Sequence, residues 1–300
     1  MTNLPPPESG YGFVGFDNLR NDIYPAISAK ETPALHQPGK VVLITGASRG
    51  IGRAMALQYA YAGVAAIILC ARTTVQLDEV ESSIKTINDE IRVHKHSVDV
   101  SSDSAVSALA AEVQGKETRL DVLINNAGHS APWVPLHESE PAKWWRTMEV
   151  NVKGPYLLAQ AFLPLLLKTA EKTGNVDIIN ISSIGALLVN ELASTYSISK
   201  LAVSRLTEHL DVGYAAKGVN AVSVHPGGVE TTLSKRELDI LKPFMIDTED
   251  LCGGFAVWVT AEPRKWLGGR YASATWDVDV LDKMKDDIVS GDKLKVKLVV

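Results

Sequence analysis

Tyr196 and Lys200 stand four residues apart at the start of a stretch with helical apolar spacing, so both fall on one helix face. An ammonium beside a phenol favours the phenolate and lowers its proton affinity. That pairing suits a tyrosine to give or take a proton at a substrate oxygen. In a chain with eight tyrosines, one Y-x-x-x-K spacing is equally an ordinary helix-surface pair. Its companions raise it above that. Ser182 and Ser183 close the apolar run VDIINIS, where a hydroxyl can hydrogen-bond a carbonyl and polarise it. Asn125-Asn126-Ala127-Gly128 closes the run DVLIN, and Asn151 lies on the helical stretch beyond it.

A second set of residues is suited to holding phosphates. TGASRGIG at 45–52 follows the apolar run VVLIT and opens a helical pattern. Gly46, Gly50 and Gly52 are spaced G-x-x-x-G-x-G, which differs from the commoner G-x-G-x-x-G fingerprint. The physics is shared, because positive φ and close backbone approach let a pyrophosphate rest on a helix N-terminus. The next apolar run ends Cys70-Ala71-Arg72, with no acid until Asp78. An acid there would bind the ribose 2′-hydroxyl of NAD(H), whereas a guanidinium fits the 2′-phosphate of NADP(H). Arg72, with Arg49 inside the glycine turn, favours NADP(H).

The elements that must position these residues follow from apolar spacing. Strands are expected at 41–45, 65–71, 93–100, 121–125, 176–182 and 220–225. Helical patterns separate them at 51–63, near 75–90, at 102–116, at about 142–168 and near 195–217, with Pro164 expected to kink or stop the fourth. Buried strands alternating with helices predict an α/β fold, a single Rossmann-like doubly wound parallel sheet with helices on both faces. Its ligand crevice lies at the carboxyl ends of the strands. Three hundred residues suffice for one such domain, placed at 40–275. Residues 1–39 form a Pro-rich N-terminal extension whose Tyr11, Phe13, Phe16 and Tyr24 suit it to wrapping the domain. Residues 276–300 form a C-terminal tail packing on the same domain.

The net charge of −5, with Lys and Arg scattered, speaks against nucleic acid or anionic lipid as partner. The two cysteines, Cys70 and Cys252, have no metal-type spacing. No basic segment followed by an apolar core opens the chain, and no run of about eighteen apolar residues is present to span a bilayer. A cytoplasmic location is expected. His94 and His96 alternate on a predicted strand without a third ligand, and Trp144 and Trp145 read as core or subunit-interface residues. Lys283, Lys285, Lys293, Lys295 and Lys297 lie among acids and read as solvated surface.

The chain resembles the short-chain dehydrogenase/reductase family over roughly residues 40–275. The likeness rests on TGASRGIG (45–52), DV (99–100), NNAG (125–128), Asn151, ISS (181–183), YSISK (196–200) and HPGGVET (225–231), in the family's order and separations. The resemblance implies that Tyr196 is the acid/base, that Ser183 orients the substrate oxygen, and that Lys200 binds the nicotinamide ribose and depresses the Tyr196 pKa. It implies that Asn151 holds a water in the proton relay. The turn Gly46 to Gly52, with Ser48, Arg49 and Ile51, would hold the pyrophosphate. Asp99 and Val100 would flank the adenine, and Asn126, Ala127 and Gly128 would line the cleft. Pro226 and Gly227 would lead to Val229 and Thr231 at the carboxamide end of the nicotinamide. Family members of this kind often assemble as homodimers or homotetramers through the long helix and the Tyr196 helix. The two extensions, with YPAIS at 24–28, are similar to those of a group of fungal members linked to secondary metabolism.

Substrate is expected between His129, Ser130 and Trp133, the segment Leu187, Leu188 and Asn190, and a lid at about 232–248 with Leu233, Leu238, Leu241, Phe244 and Met245. Its apolar content points to a hydrophobic ketone or aldehyde. Three functions stay open: an NADPH-dependent carbonyl reductase, a redox-neutral epimerase or dehydratase on the same scaffold, and a nucleotide-binding protein without chemistry.

Overall fold

The apolar runs form the strands of one parallel sheet. The computed structural model describes residues 5–234 and 241–298. Its strands are β1 (Val41–Thr45), β2 (Ala66–Ala71), β3 (Arg92–Ser97), β4 (Val122–Asn125), β5 (Val176–Ile181), β6 (Val219–His225) and β7 (Tyr271–Ser273). They are ordered β3-β2-β1-β4-β5-β6-β7, every pair parallel. The order reverses between β1 and β4, and this switch point opens a crevice above the strand ends. The helices are α1 (Gly50–Tyr61), α2 (Val75–Ile87), α3 (Asp103–Lys116), α4 (Pro141–Met148), α5 (Gly154–Thr173), α6 (Ser194–Tyr214), α7 (Glu249–Ala261), α8 (Val278–Lys283) and α9 (Lys285–Ser290).

Alternation along each strand divides the core in two. Val42, Ile44, Ile67 and Leu69 face α1, α2 and α7, while Val41, Leu43, Ile68 and Cys70 face α3 and α5. β3 is shorter than expected and polar, because it is an edge strand and buries little. There His94 meets Glu117 and the His96 Nδ1 meets Glu112, while the buried His96 Nε2 has no hydrogen-bond partner among the described residues. β7, three residues long, is too short for its period to show in sequence.

The long helix differs from expectation in two ways. α5 continues through Pro164 to Thr173. Pro164 and Gln160, whose carbonyl loses its usual partner to the proline, are both exposed, on the side of the helix where solvent can offset that loss. The interruption falls earlier, as a π-helical turn over Glu149–Lys153 centred on Asn151. Pro155 carries no N–H to offer the Asn151 carbonyl, which favours a break there. Among the described residues, the helical stretch Pro141–Thr173 contains a window apolar enough to cross a bilayer by length and composition. Of that window, 56% is buried inside the protein, in part against α3 and the sheet.

Residues 5–39 run over the sheet's α7 side as four short 3-10 turns. Phe13 packs on Trp276 at 5.3 Å between ring centroids, and the Trp276 indole N–H donates to the Tyr11 carbonyl at 3.0 Å. The Tyr24 hydroxyl accepts from the Val278 N–H at 2.8 Å. Ile27 and Trp276 are fully buried.

Candidate active site

Ser183 leaves β5 in extended conformation, and its hydroxyl accepts from the Gly185 N–H at 3.0 Å, capping a 3-10 turn over Ile184–Ala186. The Tyr196 ring, on the first turns of α6, and the Ser183 hydroxyl meet over Gly185. The Lys200 Nζ lies 5.8 Å from the Tyr196 ring centroid and donates to the Ile181 carbonyl at 2.7 Å. Ser182 points the other way. Its hydroxyl donates to the Lys200 carbonyl at 3.0 Å and meets Ser204, which meets Ser223 on β6. This buried serine chain anchors α6 to the sheet, and only Ser183 of the pair faces the phenol.

Electrostatics depart from the expected depression of Tyr196. Burial raises its hydroxyl above the ordinary value, and the nearby Ser183 hydroxyl only tempers the rise. Burial also pushes the Lys200 ammonium down to about 8, because a cation loses hydration there. With Lys200 turned to Ile181, desolvation governs the phenol. Burial likewise drives His225 down to about 3. Its Nδ1 accepts from the Ile184 N–H at 3.1 Å, so the neutral ring carries its proton on Nε2 and steadies the turn after Ser183.

Asn151 is buried at the π turn. Its amide donates to the His129 carbonyl at 2.8 Å and to the Ser199 hydroxyl at 2.9 Å, while its oxygen accepts from the His129 N–H at 2.8 Å. Ser199 in turn donates to the Tyr196 carbonyl at 2.8 Å. Asn151 therefore ties the segment after β4 to the Tyr196 helix.

The glycine turn joins β1 to α1. Gly46 has φ +65° and Gly50 φ +60°, which disfavour a side chain. A Cβ at Gly52 would clash with the Gly46 carbonyl and the Asn126 amide. Thr45 braces this turn, a role its sequence position did not suggest. Its hydroxyl accepts from the Asn126 and Ala127 N–H groups at 3.0 and 3.1 Å and donates to the Ile124 carbonyl at 3.2 Å. The Asn126 amide donates to the Thr45 carbonyl at 2.9 Å, so this side chain buttresses the glycine turn. Ser48 and Ile51 flank the N-terminus of α1. Glycines that leave room for a phosphate, before a helix N-terminus at the switch point, fit a dinucleotide.

The family model for short chain dehydrogenases matches residues 40–240. The chain is 43% identical over 297 residues to the short chain dehydrogenase citE of Monascus ruber, covering 98% of this chain and 99% of that one. The chain belongs to the short-chain dehydrogenase/reductase family. The short chain dehydrogenase pigC of the same fungus is 35% identical over 94% of this chain and 92% of its own length. Among solved structures, a gluconate 5-dehydrogenase from Burkholderia cenocepacia in complex with NADP and tartrate superposes with TM-score 0.72 at 26% identity, over 83% of this chain and 96% of that one.

In this short-chain dehydrogenase Asp99 has partners that its sequence position did not show. The Asp99 carboxylate already accepts from Ser101 and, at 2.7 Å, from Arg146 on α4. Burial works to raise its pKa, but these bonds and the Arg146 charge hold it down to about 2. Arg146 was not anticipated, since nothing in its spacing links it to Asp99. Val100 is buried beside Gly154. Arg49 and Arg72 are exposed, and neither makes a salt bridge to a described residue. Gly128 leads to His129, and Pro226 and Gly227 lead from β6 to Val229, which pairs with Asp247, and to Thr231, which accepts from the Ser234 N–H at 3.3 Å. Trp133 stands 6.3 Å from the Tyr196 ring. Of the expected lid, 235–240 with Leu238 lie outside the described residues, while Phe244 is exposed and borders the loop after β6.

Proposed function

We propose that this short-chain dehydrogenase/reductase is an NADPH-dependent carbonyl reductase with Tyr196 as its proton donor. The observation that carries this reading is the meeting of the Ser183 hydroxyl and the Tyr196 ring over Gly185 at the carboxyl edge of the sheet, with Lys200 on the same helix face. The glycine turn, Lys200 and the segment Pro226–Thr231 are suited to hold the cofactor, which when bound supplies the hydride. Ser183 orients the carbonyl oxygen and polarises it. Tyr196, kept protonated by burial, donates its proton to that oxygen. Asn151 holds the two walls of the cleft together, so a relay water would be met by its backbone. The choice of NADPH is supported by the exposed Arg49 and Arg72 at the end that would carry the 2′-phosphate, and by the NADP in the related gluconate 5-dehydrogenase.

Trp133 beside Tyr196 supports an apolar carbonyl substrate. We also propose a cytoplasmic homodimer or homotetramer with no nucleic-acid or membrane partner. Tyr156 on α5 and Ile198, Leu201 and Val212 on α6 are exposed and suit a contact between copies. The test is loss of the reduced-nicotinamide absorbance with a carbonyl panel, using NADPH and NADH in parallel. Net loss of NADPH with bulky apolar ketones is expected. Product without net loss of NADPH would establish a redox-neutral enzyme instead, and faster loss of NADH would overturn the cofactor assignment.

A further inference from the structure

The loop after β6 is held by residues that precede β1. Gly227 has φ +96°, and a Cβ there would come within 2.8 Å of the Asp247 carboxylate. Asp247 itself is 9% exposed. Its Oδ2 accepts from the Gly228 N–H at 2.5 Å, and its own N–H donates to the Gly228 carbonyl at 2.9 Å. The other carboxylate oxygen accepts from the Asn21 amide at 2.7 Å. The Asn21 carbonyl accepts from the Thr248 N–H at 2.8 Å, and the Asp22 carboxylate accepts from the Thr248 hydroxyl at 2.5 Å. A neighbouring contact pins the same segment elsewhere. Arg20 pairs with Asp277 at 2.5 Å, and its N–H donates to the Thr275 carbonyl at 2.7 Å.

A largely buried carboxylate needs hydrogen-bond donors to stay ionised and fixed. Here one side-chain donor comes from the N-terminal segment and one backbone donor from the glycine loop. The path of Gly227 and Gly228 is thus set by a carboxylate whose own place depends on Asn21. We infer that Asn21, acting through Asp247, is a positioning residue for the loop Pro226–Thr231, so that the N-terminal segment sets how tightly the site holds the nicotinamide end of its cofactor. This rests on the proposed function for the assignment of that loop to the nicotinamide. It gives the N-terminal segment a role in binding beyond covering the core.

The test compares Asn21→Asp, Asp247→Asn, the double variant and Arg20→Ala with the wild type. NADPH affinity, amide hydrogen exchange across 226–231 and the thermal midpoint are read for each. Asn21→Asp sets two carboxylates against each other, so NADPH should bind roughly tenfold more weakly, and the Gly228 amide should exchange faster. The double variant exchanges donor and acceptor, and should recover most of both losses. Arg20→Ala should lower the thermal midpoint while leaving NADPH affinity and Gly228 exchange near wild type. Unchanged exchange at Gly228 in Asn21→Asp, or a double variant no better than the singles, would overturn the inference. The exchange readout needs no cofactor. A wild type that binds no NADPH would therefore overturn the functional reading separately from the coupling of Asn21 to the loop.

Discussion

At Tyr196 the sequence and the structure agree on position and differ on electrostatics. Y-x-x-x-K places phenol and ammonium on one helix face wherever the helix lies. Whether charge or desolvation governs the phenol depends on what surrounds it, and burial raises its pKa here. A raised value keeps the hydroxyl protonated through neutral pH, as a proton donor requires. Tyr196→Phe removes that donor and should cut turnover by about 10²–10⁴-fold, with NADPH affinity little changed. Undiminished turnover would falsify the role. Lys200 carries its charge below about 8 and loses it as pH rises through that value. Carbonyl reduction should accordingly hold steady near neutrality and decline above pH about 8. A reductive pH profile flat to the ordinary lysine range would show that the Lys200 charge is not needed.

Between elements, the glycine turn was legible and its bracing was not. TGASRGIG between a strand and a helix announces a phosphate turn, because only glycine accepts those backbone angles and that close approach. That Thr45 and Asn126 lock the turn to β4 depends on β1 and β4 lying side by side at the switch point, which local spacing does not encode. Gly52→Ala drives a methyl into the Gly46 carbonyl and the Asn126 amide. The expected cost is about 1–3 kcal/mol of stability, together with weaker NADPH binding than an alanine elsewhere on α1 would cause. Calorimetric melting and cofactor titration on the same variant check both. Equal binding by Gly52→Ala and wild type would remove the turn from the cofactor site. The π turn teaches a related lesson. Pro164 was expected to kink or stop the helix; it does not stop it, since its solvent-facing side tolerates the lost hydrogen bond, and the change of helical type comes at Asn151.

Across the whole molecule, both extensions converge on Trp276. It is fully buried against Phe13 and Tyr271, its indole N–H is bonded to Tyr11, and Asp277 beside it holds Arg20. Trp276→Ala should cost about 3–5 kcal/mol, lowering the melting midpoint by roughly 10 °C in a domain of this size. A midpoint within a degree or two of wild type would mean that the N-terminal segment contributes little to the core.

The sequence alone determined the parallel α/β sheet, the order of its strands along the chain and the motifs at their carboxyl ends. Each of these is written in local period, glycine placement or short spacing. Only the tertiary structure decided the direction of the Tyr196 pKa shift, the pairing of Asp99 with Arg146, and the reach of Asn21 to Asp247. Burial and contacts between residues distant in the chain exist only once the layers have packed. A carboxylate or a phenol takes its properties from neighbours that local spacing does not specify.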